Sequence, residues 1–344
     1  MGNMDSEAIF LIKNGNPEIA FQRRQVKVAE LKGNNVLVEV EAFGLNYADI
    51  MARRGLYQDA PPLPCIIGYE VVGRVIQVGP DAEQDLVGQR VIAFCRFGGY
   101  ARHVITKDYA VVKVNEQPAN ELLALCTQAV TAYYMAEYVS PIHREDTVLV
   151  HAAAGGVGTI LIQLAKLKGA EVIAKVGREE KKSVVNKLGA DFAVNYNESD
   201  YIEQIKHYLN GARIDMSFNP FSGATFKKDM QILGSGGRMV LFGGSELSKG
   251  KWGILSRINF VRKMGLIVPV KLMIQSKSII GVNMLRIADN KPKVMESCLQ
   301  QVISLYENGK IKPRIGGEYS IEELNKAHEL LESGTSTGKI SVHW

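Results

Sequence analysis

Between residues 30 and 115 the apolar positions fall into short runs, each rich in β-branched side chains and closed by glycine or proline. Residues 36–41 (VLVEVE), 70–79 (EVVGRVIQVG), 90–94 (RVIAF) and 110–114 (AVVKV) read as strands on this pattern. Branched side chains fit a pleated, half-buried surface, and Gly and Pro end it. Strands this short and closely spaced predict a compact, barrel-like β domain.

From about residue 121 the pattern changes. Apolar strands at 147–151, 171–175, 191–195, 215–218, 237–242 and 278–281 alternate with segments of helical period, most clearly 158–167, 179–188 and 201–209. Repeated β-α-β order predicts a parallel sheet covered by helices, the doubly wound α/β arrangement. The chain closes with predicted helices at 293–306 and 321–331 and a strand at 339–342. A length of 344 residues exceeds what one hydrophobic core usually serves, so two domains are expected. No internal repeat or low-complexity tract is found.

Composition narrows the function classes. The formal charge of +5, from 41 Lys and Arg against 36 Asp and Glu, is mild and suits anionic small molecules. Without an aromatic-and-basic stripe it gives no reason to expect nucleic-acid binding. Cys65, Cys95, Cys126 and Cys298 are far apart and form no Cys-x-x-Cys pair, so reduced thiols in a cytoplasmic protein are expected. The first fifteen residues lack the basic start and apolar core of a secretory signal. Gly2 and Ser6 meet a myristoylation pattern short enough to arise by chance, and no run is long and apolar enough to span a bilayer.

The sharpest chemical signal is the run 147–158, TVLVHAAAGGVG. An apolar strand enters a turn of small residues, and the turn opens an apolar helix. Small residues let backbone amides approach a pyrophosphate, and the helix start adds unpaired N–H groups and positive dipole. Ala153 stands where the usual G-x-G-x-x-G has its first glycine. The next strand ends in Val176-Gly177-Arg178, with no acid at its tip to accept ribose hydroxyls. Arg178, Lys181 and Lys182 follow, which suits a 2′-phosphate and so NADPH over NADH. Glu179 and Glu180 read as first-turn acids of the following helix.

Three passages together carry a family resemblance: residues 44–57 (GLNYADIMARRGLY) with Gly68-Tyr69-Glu70, residues 152–158, and residues 238–243 (RMVLFG) with Gly338-Lys339-Ile340. In their order and spacing the chain resembles the medium-chain dehydrogenase/reductase superfamily, and within it the quinone oxidoreductase branch. The stretch 48–57 is especially similar to the vesicle amine transport protein relatives of that branch. The resemblance implies a GroES-like catalytic domain (1–126 and 284–344), a Rossmann domain inserted within it (127–283), and an active cleft between them. Zinc alcohol dehydrogenases of the superfamily carry Cys where Asn46 stands and His where Tyr69 stands, and an amide and a phenol are no workable zinc pair. Their cysteine-rich lobe is missing too. Without a Lewis acid, the implied chemistry is hydride delivery from NADPH to a substrate that is already electrophilic, a quinone or an α,β-unsaturated carbonyl.

On the same resemblance Asn46 and Tyr57 line the substrate pocket, Asn46 as a donor to the carbonyl oxygen and Tyr57 as hydrogen-bond or proton donor. Asp49 orients its neighbours or the cofactor ribose. Quinone reductases of the branch carry a further Tyr where this chain has Met51. Arg53 and Arg54 are open to two readings, attraction of cofactor phosphates or a solvated helix face. Cofactor contacts carried over are Thr131, Ala154, Gly155, Gly156, Val157, Gly177, Lys181, Tyr196, Phe242, Gly243 and Ser245; Arg178 and Asn283 join them from their places after strands, and no metal is expected. Related enzymes place an Arg for the 2′-phosphate where this chain has Gly334, with Lys339 the nearby cation. His151, at a strand end, reads as structural. A homodimer is expected by analogy.

Residues 247–288 contain no acid, yet eight Lys and Arg lie among large apolar side chains. A cap over the cofactor is the favoured reading. Peripheral membrane contact is the other, and it motivates the alternative function of a lipid-associated binding protein on the reductase fold.

Overall fold

The computed structural model describes residues 4–244 and 262–344. The chain divides into two compact units. The first comprises Met1–Val130, Leu285–Leu305 and Pro313–Trp344, and the second Thr131–Met284 and Tyr306–Lys312. In chain order the strands are β1 (Asp5–Leu11), β2 (Phe21–Lys27), β3 (Asn35–Leu45), β4 (Glu70–Val78), β5 (Arg90–Phe94), β6 (His103–Lys107) and β7 (Val111–Lys113). Then follow β8 (Thr147–Val150), β9 (Glu171–Val176), β10 (Phe192–Asn195), β11 (Ile214–Asn219), β12 (Leu233–Leu241), β13 (Ser278–Gly281), β14 (Ile315–Ser320) and β15 (Lys339–His343).

In the first unit, β1 and β2 form an antiparallel pair, and a larger sheet runs β14-β15-β3-β4-β5-β7 with β6 also pairing β3. The late strand β15 lies antiparallel to β3, with Ile340 opposite Leu45 and Ser341 opposite Gly44. Alternate residues of β3 and their partners, among them Val36, Val38, Val40, Val71, Val91, Ile340 and Val342, fill one core with Phe43 and Tyr100. The Tyr100 hydroxyl meets His328 Nε2 at 3.0 Å on helix Leu324–Ser333. That contact ties the C-terminal segment to the middle of the core.

The second unit is a six-stranded parallel sheet in the order β10-β9-β8-β11-β12-β13. Strand order reverses between β8 and β11, which opens a crevice at the carboxyl ends of the strands. Helices Gly156–Lys168, Glu180–Lys187, Tyr201–Leu209 and Gly223–Ile232 make the crossovers. Residues 306–312 belong to this unit because Gln163 clamps them: its side-chain amide donates to the Lys312 carbonyl at 3.1 Å and accepts from the Lys312 amide at 2.7 Å.

Helix Gly156–Lys168 begins hard against the turn that precedes it. Gly155 is its N-cap, and Ala152 takes a positive φ of 47°. A Cβ on Gly158 would lie 2.5 Å from the Ala152 carbonyl oxygen and 2.7 Å from the Ala153 Cα. Both are backbone atoms, so no side chain can give way. Gly158→Ala is therefore expected to lower the unfolding free energy by about 1–3 kcal/mol, read as a fall in the denaturant midpoint at unchanged slope, and to weaken dinucleotide binding by opening the turn.

Candidate functional site

In the second unit, the residues expected to hold a dinucleotide gather at the carboxyl edge of the sheet. Ala154 to Val157 follow β8, Gly177 to Lys181 follow β9, Tyr196 follows β10, Phe242 and Gly243 follow β12, and Asn283 follows β13. The turn after β8 is fixed by backbone bonds, Ala153 N to Lys175 O at 3.1 Å and Gly155 N to Ala152 O at 2.8 Å. The Tyr196 hydroxyl lies against Gly177. The Gly243 carbonyl accepts from Ser222 Oγ at 2.8 Å. Thr131 is buried near the start of the unit. Arg178 is half exposed, its guanidinium 3.8 Å from Glu180. Lys181 is half-buried; burial, then the charge of Arg178, lowers its pKa. Ser245 lies outside the described residues, as do 247–261 of the acid-free segment.

Behind this edge sits a buried polar network whose members are scattered along the chain. His151 Nε2 faces Asp229 Oδ2 at 2.8 Å, and the Lys175 ammonium meets His151 Nδ1 at 3.2 Å. The same carboxylate accepts from Ser217 Oγ at 2.8 Å, Asn219 Nδ2 at 2.8 Å and Tyr201 Oη at 2.7 Å. Burial pushes the Asp229 pKa up, but His151, Lys175 and Tyr201 outweigh it and hold the carboxyl below its ordinary value. Burial, against the pull of Asp229, lowers that of His151. Asn219 Oδ1 in turn accepts from the amides of Phe221 and Ser222 at 2.9 and 3.0 Å. One network thus fixes the loop after β11 and, through His151, the strand end that leads into the turn after β8.

In the first unit, Asn46 is the N-cap of helix Tyr47–Arg53. Its backbone amide donates to Asp49 Oδ2 at 2.7 Å, its side-chain amide donates to Glu70 Oε1 at 2.9 Å, and its Oδ1 accepts from the Lys339 ammonium at 3.2 Å. Lys339 also donates to the Leu45 carbonyl at 3.1 Å and forms an ion pair with Glu70, and both side chains are fully buried. The other Glu70 oxygen accepts from the Thr127 amide at 2.5 Å. Gly44 makes the space: a Cβ there would fall 2.3 Å from Glu70 Oε1 and 2.4 Å from Lys339 Cε.

Beside this group stand Asp49, Tyr69 and Tyr57. Asp49 is fully buried, and burial, reinforced by Glu70 and opposed by the Asn46 amide and Lys339, pushes its carboxyl up to about 8. Tyr69 is 2 % exposed, packed between Phe97 and the edge of Tyr57 at ring separations of 5.2 and 6.2 Å. Tyr57 is half-buried; burial, then the charges of Asp59 and Asp49, pushes its hydroxyl up to about 12. Met51 is buried on the same helix.

Three sequence expectations change. Lys339 is locked onto Glu70 with no exposed surface, so it is not a surface cation for a 2′-phosphate. Arg53 is neither a phosphate attractor nor a solvated face: it is 1 % exposed and bound to the Gly15 carbonyl and Glu332. Arg54 pairs with the same Glu332. The Glu70–Lys339 pair itself was missed. Its available signals were a Lys opening an apolar strand and a Glu heading a strand directly after the zinc-histidine position.

Comparison with known proteins places the chain. Residues 156–301 match the zinc-binding dehydrogenase family and residues 32–116 the alcohol dehydrogenase GroES-like domain. Human quinone oxidoreductase is 30% identical over 336 residues, covering 97% of this chain and 96% of that protein. A zebrafish (Danio rerio) synaptic vesicle membrane protein VAT-1 homolog is 28% identical, covering 95% of this chain and 67% of that protein. The crystal structure of Escherichia coli quinone oxidoreductase complexed with NADPH superposes with a TM-score of 0.86 at 26% identity, covering 98% of this chain and 100% of that one. A Rossmann sheet with a GroES-like partner and end-to-end similarity to these enzymes make this chain a medium-chain oxidoreductase, a member of the quinone oxidoreductase branch of the dehydrogenase/reductase superfamily.

Proposed function

We propose that this chain is a cytoplasmic, zinc-independent, NADPH-dependent reductase of quinones or α,β-unsaturated carbonyls. The observation that carries the reading is the donor set: Asn46 and Tyr69 stand where the resemblance puts zinc ligands, and the Lys339 ammonium is held beside Asn46 and Glu70. Asn46 Oδ1 and one Glu70 oxygen face the Lys339 ammonium, the other Glu70 oxygen accepts from the Thr127 amide, and burial keeps the Tyr69 phenol from ionising. A cation is already built into the chain there, and the donor set does not fit zinc. A site with no Lewis acid favours acceptors that are electrophilic on their own.

NADPH, when bound, supplies a hydride equivalent. The small-residue turn Ala154, Gly155, Gly156 and Val157 suits its pyrophosphate. Gly177, Arg178 and Lys181 suit the 2′-phosphate, and Tyr196 the adenine side. Thr131, Phe242, Gly243 and Ser245 complete the cofactor set, with Asn283 at the nicotinamide ribose. Asn46 keeps one amide hydrogen beyond the one given to Glu70, and it would donate to the acceptor oxygen. Tyr57 would supply the second contact and a proton.

β13 is one of the two outer strands of its sheet, and Val270, Met273 and Ile274 are exposed on the helix before it. A second copy pairing at that edge would cover both, and this supports a homodimer.

Purified protein mixed with NADPH is expected to reduce at least one member of a quinone and enone panel, with full turnover after chelator treatment. Loss of activity on chelation, or stoichiometric zinc by metal analysis, would overturn the reading. Arg178→Ala and Lys181→Ala are each expected to weaken NADPH about tenfold, the worth of one charge-assisted hydrogen bond, and to leave NADH nearly unchanged; isothermal titration with both nucleotides decides this. Sedimentation velocity should give a dimer for the wild type, and Met273→Glu should give monomer.

A further inference from the structure

We propose that the buried Glu70–Lys339 pair is a positioning device for the reaction: it locks the Asn46 side-chain amide in one orientation and polarises the hydrogen that Asn46 offers to the acceptor oxygen. The inference rests on the reductase reading and deepens it, because it gives the pair a part in rate as well as in fold.

Strand register brings the three residues together. Ile340 of β15 lies opposite Leu45, which sets Lys339 beside Asn46 at the end of that ladder. On the other side of β3, Phe43 lies opposite Val71, which sets Glu70 beside Gly44. Asn46 is 6 % exposed, and the two charged residues have no exposed surface. The Asn46 backbone amide is anchored to Asp49 Oδ2 at 2.7 Å, so its side chain starts from a fixed point.

An asparagine side chain is nearly symmetric in shape, and its two ends differ in what they can bond. Here the pair tells the ends apart. An ammonium only donates, and it meets Oδ1 at 3.2 Å. An ion-paired carboxylate only accepts, and Glu70 Oε1 meets Nδ2 at 2.9 Å. Turning the amide over would set donor against donor and acceptor against acceptor, and both bonds would be lost. The charges themselves are held from outside the amide. The Leu45 carbonyl accepts from Lys339 at 3.1 Å, and the Thr127 amide donates to Glu70 Oε2 at 2.5 Å.

The same arrangement acts on charge. Amide resonance puts negative charge on oxygen and positive charge on nitrogen. A cation at the oxygen end and an anion at the nitrogen end both favour that form, and hydrogen bonds in such a chain polarise one another. The pair is neutral as a whole, so its effect lies along the amide rather than spreading over the site. Nδ2 carries two hydrogens and Glu70 takes one, which leaves the second as a strengthened donor. Hydride addition at the acceptor carbon leaves an electron pair on the acceptor oxygen, and a donor fixed in advance stabilises that charge with no reorganisation. Asn46 is then the catalytic residue, and Glu70 and Lys339 act through it.

The test replaces both charges at once, Glu70→Gln with Lys339→Met, because a neutral replacement of a whole buried pair leaves no charge uncompensated and is often tolerated. Melting temperature and NADPH affinity should stay near those of wild type. With an acceptor that wild type reduces, kcat and kcat/KM should fall together about tenfold, the mark of an interaction made in the transition state, and less than the roughly hundredfold lost when such a donor is removed outright. Nuclear magnetic resonance of protein carrying nitrogen-labelled asparagine supplies a second readout. The Asn46 side-chain hydrogens, identified by their loss in Asn46→Ala, should lie downfield of free asparagine and exchange slowly with solvent in wild type. In the double variant they should return toward the free values. A folded double variant with wild-type kcat would overturn the proposal and leave the reductase reading standing. So would wild-type Asn46 hydrogens at free-asparagine positions, or a loss of kcat that comes only with a lower melting temperature and weaker NADPH binding. Should the double variant fail to fold, the wild-type spectrum decides. Absence of turnover by wild type on every acceptor would overturn the reductase reading, and the role in rate with it.

Discussion

The first unit turns on one buried ion pair, Glu70 with Lys339. Two charges without solvent are tolerable only when further hydrogen bonds support them: Lys339 also donates to the Leu45 carbonyl and Asn46 Oδ1, and Glu70 also accepts from the Asn46 side-chain amide and the Thr127 amide. This requirement fixes the neighbourhood. Gly44 must lack a side chain because the pair passes through the space a Cβ would take. Asn46 must be an amide because it donates to the carboxylate with one end and accepts from the ammonium with the other. Removing either charge alone would leave the other buried and uncompensated, at about 3–5 kcal/mol.

The second unit solves a similar problem differently. Its buried cation, Lys175, reaches its carboxylate, Asp229, through the neutral ring of His151, and the ammonium also rests 3.8 Å from the centre of the Tyr201 ring. Spreading one charge pair over a ring and several hydroxyl and amide donors lowers the local field at each member. The outcome is rigidity where strand ends become loops. In the first unit the charge is concentrated in one direct pair, Glu70 with Lys339. In the second it is dispersed, which suits holding a shape.

Most of the doubly wound sheet was legible in the sequence, because its strands are continuous apolar runs and its helices carry a clear period. The strands at 90–94 and 278–281 and the helix at 201–209 fall where the pattern puts them. The pair β1 and β2 was not legible: β2 reads FQRRQVK, with charged residues at its centre and only half-buried alternate positions, so no apolar run marks it. Helix Gly223–Ile232 was missed because two lysines and an aspartate break its apolar face in sequence, although the aspartate points inward to His151. The dinucleotide turn was legible because its chemistry is local, twelve consecutive residues. The Glu70–Lys339 pair was not, because its members lie 269 residues apart, and a lysine that opens a strand looks like any solvated strand end until the fold closes over it.

That separation bears on how the polypeptide is made. During synthesis Glu70 emerges long before its counter-ion, and until β15 has been translated the carboxylate has only the Asn46 and Thr127 amides to draw on. The second unit is nearly contiguous in the chain and contains its own compensating charges, so it is free to fold on the ribosome while the N-terminal segment waits. The sheet of the first unit can be completed only once β15, with its lysine, has followed the second unit off the ribosome.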